Sequence, residues 1–170
     1  MDSVDVAELA DVAAQTFPLA CPPTATSENI ASFVDANLSA ARFGEYLSDS
    51  KRAVLVARRE DRIVGYAMVI RGVSDHPGVQ QAVDLRPTAE LSKLYLLPAY
   101  HGSGAAAALM DSALAVAADW AVRCVWLGVS RANQRAQRFY VKSGFKVNGT
   151  RTFQVGTHFE DDYVMIREVG

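Results

Sequence analysis

Two stretches of the chain combine glycine and polar residues in patterns that can do chemistry. The first is His101-Gly102-Ser103-Gly104-Ala105-Ala106, set between the apolar run Leu94 to Leu97 and an alanine-rich stretch that ends near Trp120. A strand that runs through a glycine loop into a helix start makes an anion site. The first-turn N–H groups lack intrahelical acceptors, and the helix dipole is positive there. Glycine takes the Cβ out of the approach path, and Ala105 to Ala108 keep the first turn uncrowded. A plain tight turn gives the same glycine spacing. The Lys-Ser/Thr pair of a P-loop is missing, and so is the third glycine of a dinucleotide fingerprint.

The second stretch runs from Asn133 to Phe145 and reads Asn-Gln-Arg-Ala-Gln-Arg-Phe-Tyr-Val-Lys-Ser-Gly-Phe. Asn133, Ala136 and Tyr140 are three and four residues apart, so they share one helical face. A tyrosine hydroxyl on that face can donate a proton to a leaving group. It can equally be a packed amphipathic aromatic at a helix–sheet contact. Asn133 also suits a helix N-cap.

Together the two stretches resemble the GNAT superfamily of acetyl-CoA-dependent N-acetyltransferases. The family loop, Gln/Arg-x-x-Gly-x-Gly/Ala, becomes His101-x-x-Gly104-x-Ala106 here. The family motif Asn-x-x-Ala-x-x-Phe-Tyr-x-x-x-Gly-Phe is matched at every fixed position, from Asn133 through Ala136, Phe139, Tyr140 and Gly144 to Phe145. The resemblance runs from about Ala53 to the C-terminus. It implies an α/β fold whose mixed, mostly antiparallel central sheet contains a splayed parallel strand pair and is flanked by helices. The splayed gap would take the pantetheine arm of acetyl-CoA against backbone groups of Tyr95, Leu96 and Leu97. The pyrophosphate would sit on His101, Gly102, Ser103, Gly104, Ala105 and Ala106, with Asn133, Arg135, Ala136, Phe139 and Tyr140 completing the cofactor site. Arg138 is a second arginine within reach of the phosphates. His101 departs from the family's Gln or Arg, and the backbone amides should carry most of the grip.

The resemblance also implies a reaction. An N-acetyltransferase moves the acetyl group directly to a primary amine, of a small molecule such as a polyamine or of a peptide. Tyr140 is the candidate acid at the sulfur, and the Leu96 N–H is the candidate oxyanion donor. Glu90 is the candidate general base, acting through water; its alternative is a solvent-exposed glutamate at a strand edge. The other reading of the whole chain is a catalytically inactive acyl-CoA sensor or interaction module. Acceptors would enter among residues 24–43, 71–88 and 156–163, where Glu28, Asp35, Glu45, Asp49, Glu160, Asp161 and Asp162 can attract a cationic amine. Dimers are common among such proteins.

The elements that must hold these residues are legible from periodicity. Apolar residues at helical spacing predict helices over Val6–Phe17, from Ser27 through Val34, and over Ser39–Leu47. Ser27 is the expected cap of the second, and Pro22-Pro23 breaks the first. Ala53–Ala57 and Ile63–Ile70 read as a hairpin about the turn Glu60-Asp61-Arg62. Residues 71–88 read as a long loop. Glu90–Leu97 is a strand, Gly102–Trp120 a helix, Cys124–Val129 a strand and Asn133–Ser143 a helix. Another strand starts at Phe145–Val147, and Arg151–Val155 and Tyr163–Ile166 are the last two. The β-α-β unit should be a right-handed parallel crossover.

Composition bounds the rest. A chain of 170 residues suits one domain, with acceptor-side helices at about 5–48, a cofactor core at about 53–147 and closing strands at about 148–168. The net charge of −2 argues against nucleic acid as a partner. No apolar run approaches the roughly 20 residues that span a bilayer, and the acidic start lacks the marks of a secretory signal. A cytoplasmic location is expected. The two cysteines, Cys21 and Cys124, read as reduced thiols, and no ligand set for a metal is evident.

Overall fold

The computed structural model describes residues 4–21, 25–72, 76–155 and 158–169. Helix α1 (Val6–Ala20) starts at Asp5, whose carboxylate accepts from the Ala7 and Glu8 amides at 3.0 and 3.1 Å. Its period gathers Leu9, Val12, Ala13, Thr16 and Phe17 on one buried face. The expected break at Pro22-Pro23 lies outside the described residues. Helix α2 (Ser27–Asn37) is capped by Thr26, not Ser27. Thr26 has the extended backbone a cap needs, and its hydroxyl accepts from the Asn29 amide at 3.1 Å. Helix α3 (Ala40–Ser48) is capped by Ser39.

Strands β1 (Arg52–Arg59) and β2 (Arg62–Arg71) form the expected hairpin. Glu60 and Asp61 take φ of 51° and 65° at its tip, the left-handed pair that matches the strand twist. Strand β3 (Thr88–Leu96) leads into α5 (Ala105–Asp119), then β4 (Cys124–Ser130), α6 (Gln134–Lys142), β5 (Lys146–Val155) and β6 (His158–Glu168). The sheet order is β1-β2-β3-β4-β6-β5, and every neighbouring pair is antiparallel except β3–β4. The fold is therefore the mixed, mostly antiparallel sheet with one parallel pair that the sequence implies. Among the described residues no helix is long and apolar enough to cross a membrane.

Two stretches differ from the periodicity reading. Residues 71–88 contain a short helix, α4 (Pro77–Ala82), with Pro77 in its first turn and the His76 ring accepting from the Gly78 amide at 3.0 Å. Val79, Ala82 and Val83 pack there against Cys124, Trp126, Val164 and Ile166. Six residues are too few to show a period, so tertiary packing makes this helix. The separate strands read after Phe145 are one strand, β5, whose register against β6 shifts between Val147 and Gly149. That bulge brings Gly149 against Ala82, where a Cβ would lie 2.6 Å from the Ala82 Cβ.

The sheet is covered on both faces. Helices α1 to α3 pack with Ile63, Tyr66, Val54, Val56 and Tyr95. Helix α5 packs with Ala67, Val69, Leu91, Leu96, Val125, Leu127 and Met165 on the other face. Each fully buried Leu or Val contributes about 1.5–3 kcal/mol, so the platform that carries the loop and the strand ends is firmly held.

Candidate functional site

Strands β3 and β4 are joined by only three residue pairs, Thr88↔Cys124, Ala89↔Val125 and Glu90↔Trp126. The base of this pair is pinned. Thr88 Oγ1 donates to the Cys124 carbonyl at 2.9 Å, and the Arg123 amide donates to the Pro87 carbonyl at 2.8 Å. Beyond Glu90 the strands diverge. β3 stays on β2 and β4 stays on β6, and a cleft of about 870 Å³ opens between them.

The bonding of β3 to β2 decides which of its backbone groups face that cleft. The Leu97 amide donates to the Val64 carbonyl at 2.8 Å. Antiparallel pairs alternate between bonded and non-bonded, so Tyr66–Tyr95 is bonded and Gly65–Leu96 and Ala67–Leu94 are not. The N–H and C=O groups of Leu94 and Leu96 therefore point into the cleft, and those of Tyr95 point at β2. The Leu97 carbonyl accepts from Tyr100 at 2.9 Å, so both its groups are engaged. Of the three residues expected at the backbone edge, Leu96 turns its backbone into the cleft, as Leu94 does, while Tyr95 is bonded to β2 and Leu97 to Val64 and Tyr100.

A register shift in β3 sorts its side chains. Met68 pairs with Lys93 and Val69 with Leu91, which leaves Ser92 as an extra residue. Glu90, Lys93 and Tyr95 consequently stand opposite Ile70, Met68 and Tyr66, alternate residues of β2 that share one face. That is the face of α1 to α3, where Tyr95 meets Tyr66 edge to face at 5.8 Å. Without the bulge, Glu90 and Lys93 would lie on opposite faces.

At one end of the cleft, the loop before α5 turns through Gly102 (φ 81°) and Gly104 (φ 89°), a backbone that disfavours larger residues. Gly104 is the N-cap and supplies no side-chain acceptor, so the Ala106 and Ala107 amides of the first turn have no side-chain cap. His101 ties this loop down. Its Nε2 lies 3.1 Å from the Leu96 carbonyl, and its Nδ1 lies 2.7 Å from an Arg135 guanidinium nitrogen. A carbonyl only accepts and a guanidinium only donates, so a neutral ring with its proton on Nε2 satisfies both. His101 thereby holds Arg135 beside the glycine loop.

Helix α6 supplies the opposite wall. Asn133 Oδ1 caps it by accepting from the Ala136 amide at 3.1 Å, and Gln137 donates to the Ser130 and Arg131 carbonyls, each at 3.0 Å. These bonds fix the helix to the end of β4. Tyr140 packs between Phe139 and Phe145, with ring centroids at 5.6 and 6.0 Å. Burial pushes its phenol up to about 12, so it keeps its proton at neutral pH.

The floor is charged. Burial raises the Glu90 carboxyl, against the opposing pull of Arg151, Lys93 and Arg52. Burial likewise lowers the Lys93 ammonium, which Glu90 partly restores. Arg151 reaches Asp162 at 3.4 Å and lies 5.6 Å from the Trp126 ring centre. Gly128 makes room for it, since a Cβ there would be 2.6 Å from the guanidinium carbon. Tyr95 is also raised, first by burial and then by Tyr140, Cys21 and Asp162, which line the same cleft.

The expected residues Glu90, Tyr95, Leu96, His101, Gly102, Gly104, Ala106, Asn133, Arg135, Ala136, Phe139 and Tyr140 all line this cleft. Leu97, Ser103, Ala105 and Arg138 do not. Ala105 is a core residue, and Ser103 Oγ accepts from its amide at 3.4 Å. Glu90 is no exposed edge residue; it lies at the mouth of the splay. Lys93, Arg151 and Gly128 are not among the expected residues; Phe17, Leu19, Ala20, Cys21 and Phe33, within the stretch read as acceptor-side helices, form a wall of the cleft. Among the described residues, Asp162 is the one acid of the expected acceptor regions that lines the cleft. Cys124 sits at the closed base with Trp126, away from the opening. Cys21 does line the cleft, but burial raises its thiol to about 11, which leaves little nucleophilic thiolate.

A GNAT loop, a splayed parallel pair and a cleft-facing tyrosine are now in one place, and comparison with known proteins agrees. The model of the acetyltransferase (GNAT) family matches residues 14–145. The chain belongs to the GNAT family. It is 65% identical over 165 residues to an uncharacterized N-acetyltransferase of Mycobacterium tuberculosis strain H37Rv, covering 97% of this chain and 98% of that one. The structure of the PaiA N-acetyltransferase from Thermoplasma acidophilum in complex with coenzyme A superposes with a TM-score of 0.74 at 21% identity, over 96% of this chain and 92% of that one. The ribosomal-protein-S18-alanine N-acetyltransferase from Escherichia coli gives a TM-score of 0.68 at 15% identity, over 100% and 91%. At these identities the two structures attest the fold.

Asn133 holds the first turn of the helix that presents Tyr140. Asn133→Ala should cost about 1 kcal/mol, as a lost N-cap does, while Asn133→Asp restores most of it. Urea midpoints of the three proteins check this.

Proposed function

We propose that this GNAT is an N-acetyltransferase that binds acetyl-CoA through the splay of β3 and β4 and passes the acetyl group directly to a primary amine entering from the α1–α2 side. The observation that carries the reading is the splay itself. It turns the Leu94 N–H and C=O and the Leu96 N–H into the cleft, between a helix start with no side-chain cap and Tyr140. An extended, amide-bearing chain with an anion at one end answers both needs, since it can bond as an added strand and end on the helix N-terminus. The pantetheine and pyrophosphate of coenzyme A have that form. Gly102, Gly104 and Ala106 take the anion, with Arg135 held near it by His101.

The chemistry follows from the groups at the other end. An ammonium must lose a proton before its nitrogen can attack, and Glu90, raised by burial, is suited to accept it directly or through water. The Leu96 N–H, aimed into the cleft, stabilises the charge that develops on the carbonyl oxygen. Tyr140 donates its proton to the departing sulfur. A C–N bond forms, the thioester C–S bond breaks, and the net products are the N-acetyl amine, free CoA thiol and one proton. The raised Cys21 thiol and the buried Cys124 leave no covalent carrier in this scheme.

Tyr140→Phe should lower kcat by about 100-fold, the usual size of a lost acid, without weakening acetyl-CoA binding by titration calorimetry. A variant as fast as the parent removes Tyr140 from the mechanism. Glu90 acts only when ionised, so kcat/KM should fall as pH drops through its raised pKa. Glu90→Gln should abolish that acid limb and lower the plateau by about 100-fold. CoA release followed across pH with both proteins tests this.

A further inference from the structure

Lys93 is the cleft residue that acetyl transfer leaves without a task. It stands on the same face of β3 as Glu90 and Tyr95 because of the bulge at Ser92, and it lines the same opening. Its ammonium makes one long hydrogen bond, to Ser92 Oγ at 3.4 Å, and no ion pair among the described residues. The neighbouring cations are already engaged. Arg151 is on Asp162, and Arg52 is on Asp49 at 3.2 Å with its guanidinium 4.7 Å from the Tyr46 ring centre. Glu90 on the same face only partly offsets the burial of this ammonium. A cation so withdrawn from water and not in ion-pair contact is costly to keep, and such a group in a cleft marks a place where a ligand supplies the missing charge.

The surroundings specify the rest of that ligand. Glu90 and Lys93 project from one face of β3 about two strand rises, roughly 7 Å, apart. An acceptor lying across them meets a base with its amine and a cation with its other end. The wall that α1 and α2 give the same cleft is apolar. Phe17 and Phe33 stack at 4.5 Å between ring centres, and Leu19 is 57% exposed beside them. The charged floor and the apolar wall are both within the cleft that Tyr140 enters.

We propose that the acceptor is an α-amino acid with an apolar side chain, its carboxylate held by Lys93, its amine beside Glu90 and its side chain against Phe17, Phe33 and Leu19. This rests on the acetyltransferase reading above and narrows its substrate class. A polyamine has no group for Lys93 and would bring more positive charge to a floor that already holds Lys93 and Arg151. A peptide N-terminus lacks the adjacent carboxylate.

The test compares L-phenylalanine with L-phenylalaninamide, which differs only at the carboxylate, and with spermidine, by acetyl-CoA-dependent CoA release. The expected result is a kcat/KM for L-phenylalanine about tenfold or more above that for the amide, the worth of a charged hydrogen-bonded contact. Lys93→Met should then lower the value for L-phenylalanine far more than for the amide, through KM, and Lys93→Arg should keep part of the preference. Equal or better use of the amide or spermidine overturns the proposal, as does a Lys93→Met loss shared by all acceptors. Should no amine turn over, the acetyl-transfer reading fails, and calorimetric titration of L-phenylalanine into the CoA-loaded protein decides the carboxylate site separately. Binding that Lys93→Met abolishes upholds it, and absence of binding overturns it.

Discussion

The structure depends on a parallel ladder that stops after three residue pairs. Thr88 and Arg123 pin the base of β3 and β4, while β2 and β6 hold each strand along its full length and draw the two apart above Glu90. Buried backbone groups need partners. Where the sheet opens, the N–H and C=O groups of β3 that face β4 must find them elsewhere, and an extended ligand is the natural supplier. Helix α5 brings its uncapped first turn to one end of the same opening, and α6 adds a protonated phenol at the other. The cleft passes between the strands, so in the proposed function a cofactor held by α5 and an acceptor entering past α1 meet at one point.

A second irregularity makes that meeting point chemically useful. The extra residue Ser92 turns Glu90, Lys93 and Tyr95 onto one face. Burial then moves the carboxyl and the ammonium in opposite directions, each towards its neutral form. A carboxylate that holds a proton more readily is a better partner for an amine that must lose one. Gly128 leaves space for Arg151, which completes the floor with Asp162. The helix that carries Tyr140 is independently fixed by the Asn133 cap and the Gln137 bonds, so the proposed donor and base are positioned by different elements.

Much of this was legible in the residues. Helices, hairpin and the β-α-β unit follow from apolar period, and Asn133 to Phe145 carries enough fixed positions to name a family. Glu90, Tyr140 and the glycine loop were readable for the same reason: they belong to local patterns. Lys93 was not, because strict alternation from Glu90 puts it on the opposite face, and a bulge leaves no composition signal. The engaged backbone of Leu97 was hidden too, since ladder alternation is a property of two strands. Helix α4 has too few residues to show a period and is made by packing on Trp126 and Val164. His101 departs from the family's Gln or Arg, and nothing local shows what it ties together. Its two partners, the Leu96 carbonyl and Arg135, are five and thirty-four positions away in the chain.

The central claim is that coenzyme A completes the interrupted ladder. Residue-resolved amide hydrogen exchange with and without acetyl-CoA tests it most directly. The Leu94 and Leu96 amides, which face the cleft, and the Ala106 and Ala107 amides at the start of α5 should exchange markedly more slowly with ligand bound. The Tyr95 and Leu97 amides, already committed to β2, should change little. Unchanged exchange at Leu94, Leu96 and Ala106 under saturating acetyl-CoA, or protection confined to another edge of the sheet, would contradict the account.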